Sequence, residues 1–181
     1  PLSASVSVSL SRLSCSWYGG SHFLRRVATR THDCTAGMLQ DTLLFLSLGH
    51  KVTALEQSKI LFYLLQDALR RCDDQSIFEK LDLIHTNACS YAAQAKNFDV
   101  VYFDPMYPLT KKNALTSGKL DYIAKILEIE SLNNDSLEDF ELLQLIPAKK
   151  MVVKRSIKAE PFSTQINYQV AGKTTRFDVY I

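Results

Sequence analysis

Residues 99–108 read Asp99-Val100-Val101-Tyr102-Phe103-Asp104-Pro105-Met106-Tyr107-Pro108, and this stretch decides the fold. Val100 to Phe103 is an unbroken run of β-branched and aromatic residues, the pattern of a strand buried on both faces of a sheet. Asp104 follows at the carboxyl end, where open α/β sheets place their ligands. Pro105 has no backbone N–H and halts the strand. Pro108 restrains the far end of a tight loop. A carboxylate, Asp104, and a ring, Tyr107, therefore share a stiff turn at one sheet edge. That pair suits a site that holds a flat base and accepts hydrogen bonds from its amino group. An ordinary strand end with a proline turn has the same residues, and one motif does not separate the two.

Outward from this stretch, strand and helix signals alternate. Asp33 to Gly37 reads as a turn and Asp41 to Leu48 as a helix stopped by Gly49. Lys51 to Leu55 reads as a second strand ending at Glu56. Ser58 can cap a helix in which Ile60, Leu61, Leu64, Leu65, Ala68 and Leu69 keep helical spacing. Leu81 to Ile84 is a third strand, and Val100 to Phe103 the fourth. Helical patterns follow at 118–129 and 136–145, then a fifth strand at Met151, Val152 and Val153. The tail, 164–170 and 174–181, alternates around Ala171-Gly172, a hairpin signal. Right-handed crossovers turn this order into a mostly parallel sheet with helices on both faces. The hairpin adds an antiparallel edge. That is the α/β plan of the Rossmann-like methyltransferases; a nicotinamide dehydrogenase shares the first half but not usually this ending.

A chain of 181 residues with 46% hydrophobic side chains fits one globular domain. No apolar run reaches the length that spans a membrane. Residues 28–32, Ala-Thr-Arg-Thr-His, are too polar to read as a first strand. Residues 1–32 are accordingly set apart as an N-terminal remnant or extension, and residues 33–181 as the catalytic domain. The first eleven residues lack the basic and long apolar regions of a signal peptide. Cys15, Cys34, Cys72 and Cys89 form no C-x-x-C pair, and the four histidines show no metal spacing. Reduced cysteines, no structural metal and a cytoplasmic location are expected. His85, beside Ile84, is expected as a hydrogen-bonded core residue. Net charge is only +2, but acid collects between 128 and 141 while base collects near 25–30, 111–119 and 149–158. One basic side facing a polyanion is the corresponding expectation.

The sheet edge also carries features suited to an adenosyl cofactor. Asp33-Cys34-Thr35-Ala36-Gly37 precedes a helix, where small residues let backbone approach a ligand. Glu56 ends the second strand about twenty residues later, where a carboxylate can accept both ribose hydroxyls. Asn87, after the third strand, is placed to reach an adenine edge. There is no G-x-G-x-x-G and no G-x-x-x-x-G-K, so neither a standard dinucleotide site nor a P-loop is supported.

With these residues in view, the chain resembles the bacterial small-subunit rRNA guanine-N2 methyltransferases of the YhiQ (RsmJ) type. The blocks that carry the resemblance are Asp33-Cys34-Thr35-Ala36-Gly37, Ala54-Leu55-Glu56, Leu83-Ile84-His85, Val101 to Pro108, Met151 to Arg155 and Arg176 to Tyr180. The resemblance implies a class I fold using S-adenosylmethionine to methylate a guanine amino group in small-subunit rRNA, naked or in the assembled subunit. It assigns Gln40, Asp41, Glu56, Gln57, Asn87, Ala88 and Asp104 to the cofactor, and Asp33 and Gly37 belong to the same loop. Such relatives usually have Gly-Leu-Gly-Arg-Asp where this chain has Gly37-Met38-Leu39-Gln40-Asp41. Leu39 then puts a side chain where close backbone approach was allowed, and Gln40 lacks the cation.

In the implied mechanism, Asp104 and backbone carbonyls of the 105–107 turn accept hydrogen bonds from the amino group. Tyr107 stacks on a splayed base, and Lys111, Lys112, Lys154 and Arg155 hold phosphates. Two other readings stand beside it. Leu39 and Gln40 motivate an RNA-binding or ribosome-assembly protein with a degraded cofactor site. A methyltransferase acting on protein or a small molecule would bind RNA without salt dependence, or not at all.

Overall fold

The computed structural model describes residues 29–95, 97–105, 118–132 and 136–181, without the side chains of 118–121. In chain order the elements are β1 (Arg30–Asp33), α1 (Gln40–Ser47), β2 (Lys51–Glu56), α2 (Lys59–Arg70), a 3-10 turn (Ser76–Phe78), β3 (Leu81–His85), α3 (Ala88–Ala92), β4 (Phe98–Phe103), α4 (Gly118–Ile129), α5 (Ser136–Leu143), β5 (Ala148–Ser156), β6 (Tyr168–Ala171) and β7 (Thr175–Tyr180). The strands form one seven-stranded sheet in the order β3-β2-β1-β4-β5-β7-β6. β3, β2, β1, β4 and β5 run parallel to one another. β7 is antiparallel to both β5 and β6. The expected Rossmann-like plan with an antiparallel ending is present. Strand order reverses between β1 and β4, so the crevice beyond their carboxyl ends is the switch point at which such sheets bind ligands.

The first strand corrects the reading of residues 28–32 as too polar. β1 begins at Arg30, ahead of the boundary drawn at 33, and lies at the centre of the sheet. Thr31 and His32 have no exposed surface, and Asp33 has 1%. Each polar side chain is made compatible with burial in its own way. The His32 ring stacks 4.5 Å from Phe98 and 5.3 Å from Tyr91. Burial lowers its pKa to about 4, so it packs as a neutral flat ring. Thr31 is β-branched, and its hydroxyl lies 3.2 Å from that of Thr29. Asp33 is hydrogen-bonded, as described below. Partners, rather than hydrophobicity, make this strand.

β4 is buried on both faces, as its composition required. Val100 and Tyr102 enter the core under α1 and α2 with Leu39, Leu43 and Val52. Val101 and Phe103 enter the opposite core with Phe140, Leu143 and Val153. α2 turns Leu61, Phe62, Leu65 and Ala68 inward, a helical stripe. Its cap is Ser58, whose Oγ accepts from the Leu61 N–H at 3.0 Å. Ile60 and Leu64 of the expected stripe are instead more than a third exposed. α1 stops before Gly49, whose φ of 88° is the left-handed conformation that ends a helix cheaply. β5 extends well beyond the expected Met151–Val153, because both β4 and β7 pair with it.

Candidate active site

Three loops meet at the switch point: those after β1, β2 and β4. Backbone bonds lock them, with the Cys34 N–H donating to Tyr102 O and the Ala36 N–H to Leu55 O, both at 2.9 Å. The Asp104 N–H donates to Thr35 Oγ1 at 2.8 Å. Asp33 holds the first loop from below. Its Oδ1 accepts from the Thr35 N–H at 3.1 Å and its Oδ2 from Thr42 Oγ1 at 2.5 Å. Burial raises its pKa to about 7 against those two donors. With 1% of its surface exposed, Asp33, expected at the cofactor, shapes the loop from within.

Glu56 ends β2 and is 6% exposed. Its Oε2 accepts from the Gly37 N–H at 3.0 Å and its Oε1 from the Ser58 N–H at 2.8 Å. Burial, helped by the nearby Glu130 carboxylate, pushes its pKa up to about 6. Glu130, just past α4, accepts from Ser58 Oγ and from the Ile60 N–H, so it closes the start of α2 beside Glu56. Gly37 has φ 50°, and a Cβ added there would meet only Thr35 O, at 3.8 Å. Backbone conformation demands this glycine, and the space in front of it is open.

The replacement of the usual second glycine has an unexpected outcome. Leu39 takes the left-handed conformation at φ 58°, yet is 1% exposed and packs into the core with Leu43 and Phe45. Its side chain is turned away from the loop's open face, which corrects the reading that it stands where backbone approach is needed. Gln40 is the exposed first residue of α1.

Asp41 and Asp104 converge on one cation. Lys154 Nζ, from β5, lies 2.8 Å from Asp41 Oδ2 and 2.8 Å from Asp104 Oδ2. The Tyr102 hydroxyl donates to the same Asp41 Oδ2 at 2.7 Å. Burial raises the Asp104 pKa and Asp41 adds to it, while Lys154 opposes both. Burial alone would lower Lys154, but the two carboxylates outweigh it and hold the ammonium above its ordinary value. Lys154, expected as a phosphate ligand, is here paired with two carboxylates inside the site. Arg155, next along the strand, lies over the Phe162 ring at 3.8 Å and donates to Glu160 O, tying down the chain after β5.

At the end of β3, Asn87 caps α3. Its Oδ1 accepts from the Cys89 and Ser90 N–H groups at 2.9 and 3.2 Å, and its Nδ2 donates to Gln57 Oε1 at 3.0 Å. Gln57, Asn87 and Ala88 are thereby joined, with the Asn87 carbonyl occupied by the cap. His85 is exposed rather than buried in the core, its Nε2 lying 3.2 Å from Gln57 O. Tyr107, Lys111 and Lys112 lie outside the described residues. Four contributors escaped sequence reasoning: Thr35, Thr42, Tyr102 and Glu130. Only Tyr102 carried a signal, since a tyrosine in a buried strand needs a partner for its hydroxyl.

The donor set fits S-adenosylmethionine. Glu56 accepts from the Gly37 and Ser58 N–H groups, with the Gln57 N–H a further backbone donor, and a carboxylate offers about four lone-pair directions, so acceptor capacity for a hydroxyl remains. Asp41, Asp104 and Glu56 outnumber Lys154, which suits a cofactor bearing a sulfonium and an ammonium. Among the described residues no cluster of ligating side chains could hold a metal ion, and no helix is long and apolar enough to cross a membrane.

Comparison with known proteins points the same way. Residues 22–181 match the family model described as "Putative SAM-dependent methyltransferase". The ribosomal RNA small subunit methyltransferase J of Francisella tularensis subsp. novicida is 36% identical over 154 residues, which are 82% of this chain and 64% of that protein. The protein of the same name from Thioalkalivibrio sulfidiphilus is 34% identical over 157 residues, covering 82% of this chain and 60% of that protein. The chain thus spans less than two thirds of the length of these relatives. Among solved structures, a SAM-dependent methyltransferase from Neisseria gonorrhoeae superposes with a TM-score of 0.72 at 28% identity, covering 97% of this chain and 72% of that one. The glycopeptide N-methyltransferase MtfA, crystallised with S-adenosylmethionine, shares the fold alone, with a TM-score of 0.52 at 20% identity over 92% of this chain and 68% of that one.

Proposed function

The chain belongs to the SAM-dependent methyltransferase family, and from that membership we propose that it methylates the exocyclic amino group of a guanine in small-subunit ribosomal RNA. The observation that carries the reading is the Asp104 carboxylate, held by Lys154 at the switch point and on the same sheet edge as Glu56. The names of the relatives supply the RNA class. The expectation of a cytoplasmic location goes with that substrate.

In this reading the loop from Gly37 to Asp41 and the Glu56 carboxylate hold the cofactor, with Glu56 accepting a ribose hydroxyl. Gln57, Asn87 and Ala88 border the adenine. When bound, the cofactor supplies a methyl group made electrophilic by a positive sulfur. The rest falls to this chain's own residues. A guanine amino nitrogen is a poor nucleophile because its lone pair is delocalised into the ring. Lys154 engages Asp104 Oδ2, so Oδ1 accepts an amino N–H. That bond favours a pyramidal nitrogen with its lone pair exposed, and it opposes the positive charge that develops there. Alignment within the crevice supplies much of the remaining acceleration. The nitrogen becomes cationic and acidic, so its proton leaves without a dedicated strong base. Tyr107, three residues after Asp104, is the residue proposed to stack on the base, and Lys111 and Lys112 are proposed to hold phosphates.

Labelled S-adenosylmethionine, incubated with this chain and small ribosomal subunits from cells lacking the gene, tests the proposal. Label should appear as N2-methylguanine in the rRNA. Cofactor binding without labelled RNA would instead favour a protein or small-molecule acceptor. Absence of cofactor binding would favour the assembly-protein reading.

A further inference from the structure

β5 is the strand next to β4, and Val153 lies opposite Phe103, so Lys154 stands level with Asp104. Its ammonium is shared by two carboxylates at 2.8 Å each, and the Lys154, Asp41 and Asp104 side chains are 20%, 15% and 28% exposed. Tyr102 donates to the oxygen of Asp41 that Lys154 touches. We propose that Lys154 is the positioning residue for Asp104: its ammonium keeps that carboxylate an oriented anion, and Asp41 with Tyr102 holds the ammonium in place. The catalytic meaning of this arrangement rests on the function proposed above; the arrangement itself does not.

The physical argument starts from burial. A carboxylate taken out of water gains a proton unless a cation opposes it. Among the described residues, every other titratable group facing Asp104 makes matters worse or is neutral. Asp41 on α1 repels its charge, Asp33 on β1 lies behind the same loop, and Tyr102 on β4 keeps its proton. Lys154 on β5 is the cation that opposes them. A protonated Asp104 would lose an acceptor and could turn a donor toward the base, which is the wrong polarity for the amino group. Asp41 has a second effect. It shares the ammonium with Asp104, while fixing where that ammonium sits.

The two partners therefore act on Asp104 in opposite directions, and this can be read without cofactor or RNA. The full chain carrying carboxyl-labelled aspartate is titrated by carbon NMR, and the Asp104 signal is assigned by its loss in Asp104→Asn. In Lys154→Met the Asp104 midpoint should rise by about one to three pH units. In Asp41→Asn it should fall, since the repelling charge of Asp41 is then gone. General loosening would carry both midpoints down toward that of a solvated aspartate. If Lys154→Met does not fold, Asp41→Asn carries the test, with a lowered midpoint at an unchanged unfolding temperature. An Asp104 midpoint that stays put in either folded variant, or that rises in Asp41→Asn, overturns the proposal. Single-turnover transfer separates this from the function. If the wild-type chain leaves rRNA unmethylated, the functional reading fails while the titration still judges Lys154. If it methylates rRNA, Lys154→Met should be slower by about tenfold near neutral pH and recover as pH rises. A wild-type rate profile in that variant removes the positioning role.

Discussion

Restoring a glycine at position 39 separates two accounts of the loop. Leu39 is 1% exposed and left-handed at φ 58°. Two effects of Leu39→Gly compete. Releasing a non-glycine residue from the left-handed conformation recovers about 1–2 kcal/mol. Removing a buried leucine side chain costs about 2–5 kcal/mol, through lost transfer energy and the cavity left behind. Added freedom of glycine in the unfolded chain costs roughly 0.5–1 kcal/mol more. The cavity wins, and the variant should be less stable by about 1–4 kcal/mol. For a domain of this size that lowers the unfolding temperature by roughly 10 °C. Because the side chain faces Leu43 and Phe45 rather than the crevice, S-adenosylmethionine affinity should stay within a factor of about three, or under 0.7 kcal/mol. Thermal unfolding and calorimetric titration read the two quantities separately. A variant as stable as wild type that binds the cofactor about tenfold tighter, a gain of 1.4 kcal/mol, would show that Leu39 obstructs the site and that its burial here is misread.

Further expectations concern the carboxylates and the basic loop. Glu56→Ala should weaken S-adenosylmethionine binding by about tenfold or more, the effect of losing a charged acceptor. Wild-type affinity should also fall as pH drops through about 6, where Glu56 takes a proton; calorimetry showing neither effect removes Glu56 from the site. Asp33 ordinarily titrates at 3.8 but is raised to about 7 here, so between those values the folded chain holds a proton that the unfolded chain has lost. Stability should therefore decline with rising pH across that window, by up to about 4 kcal/mol. Asp33→Asn should flatten the decline and outlast wild type in urea above neutral pH, whereas an unchanged slope would mean an ionised Asp33 in the fold. Asp104→Asn should lower single-turnover methyl transfer by roughly a hundredfold, the scale of one preorganised polar contact; wild-type turnover would end the proposed mechanism. Charge reversal at Lys111 and Lys112 should weaken RNA binding and flatten its salt dependence, and an unaltered salt slope would place those lysines away from phosphate.

Much of the architecture was legible in the chain itself. The unbroken apolar run of β4, the Ser58 cap of α2, and the turn signal at Ala171-Gly172 depend on short-range chemistry, and each lies where its pattern put it. So did the placing of Glu56 and Asp104 at carboxyl ends of parallel strands, because strand polarity and a proline turn settle that locally. β1 was not legible. Periodicity reports hydrophobicity, whereas His32 is buried against rings on α3 and β4 that lie far off in sequence, and Asp33 is buried by the Thr42 hydroxyl of α1.

The site divides along the same line. Residue type and order along the chain determined which strand ends carry acid, and that they share one edge of the sheet. Only the tertiary structure decided what each charge does. Lys154 reads as one of a basic cluster, but parallel pairing of β5 with β4 brings its ammonium between Asp41 and Asp104, 113 and 50 residues away. Leu39 reads as an obstruction, but a left-handed turn sends its side chain into the core. Asp33 reads as a ligand-facing acid, but it is enclosed by Thr35 and Thr42. Sequence spacing specifies where a side chain is attached; which partner its charge meets, and so whether it binds, orients or merely supports, depends on through-space distance, which folding alone sets.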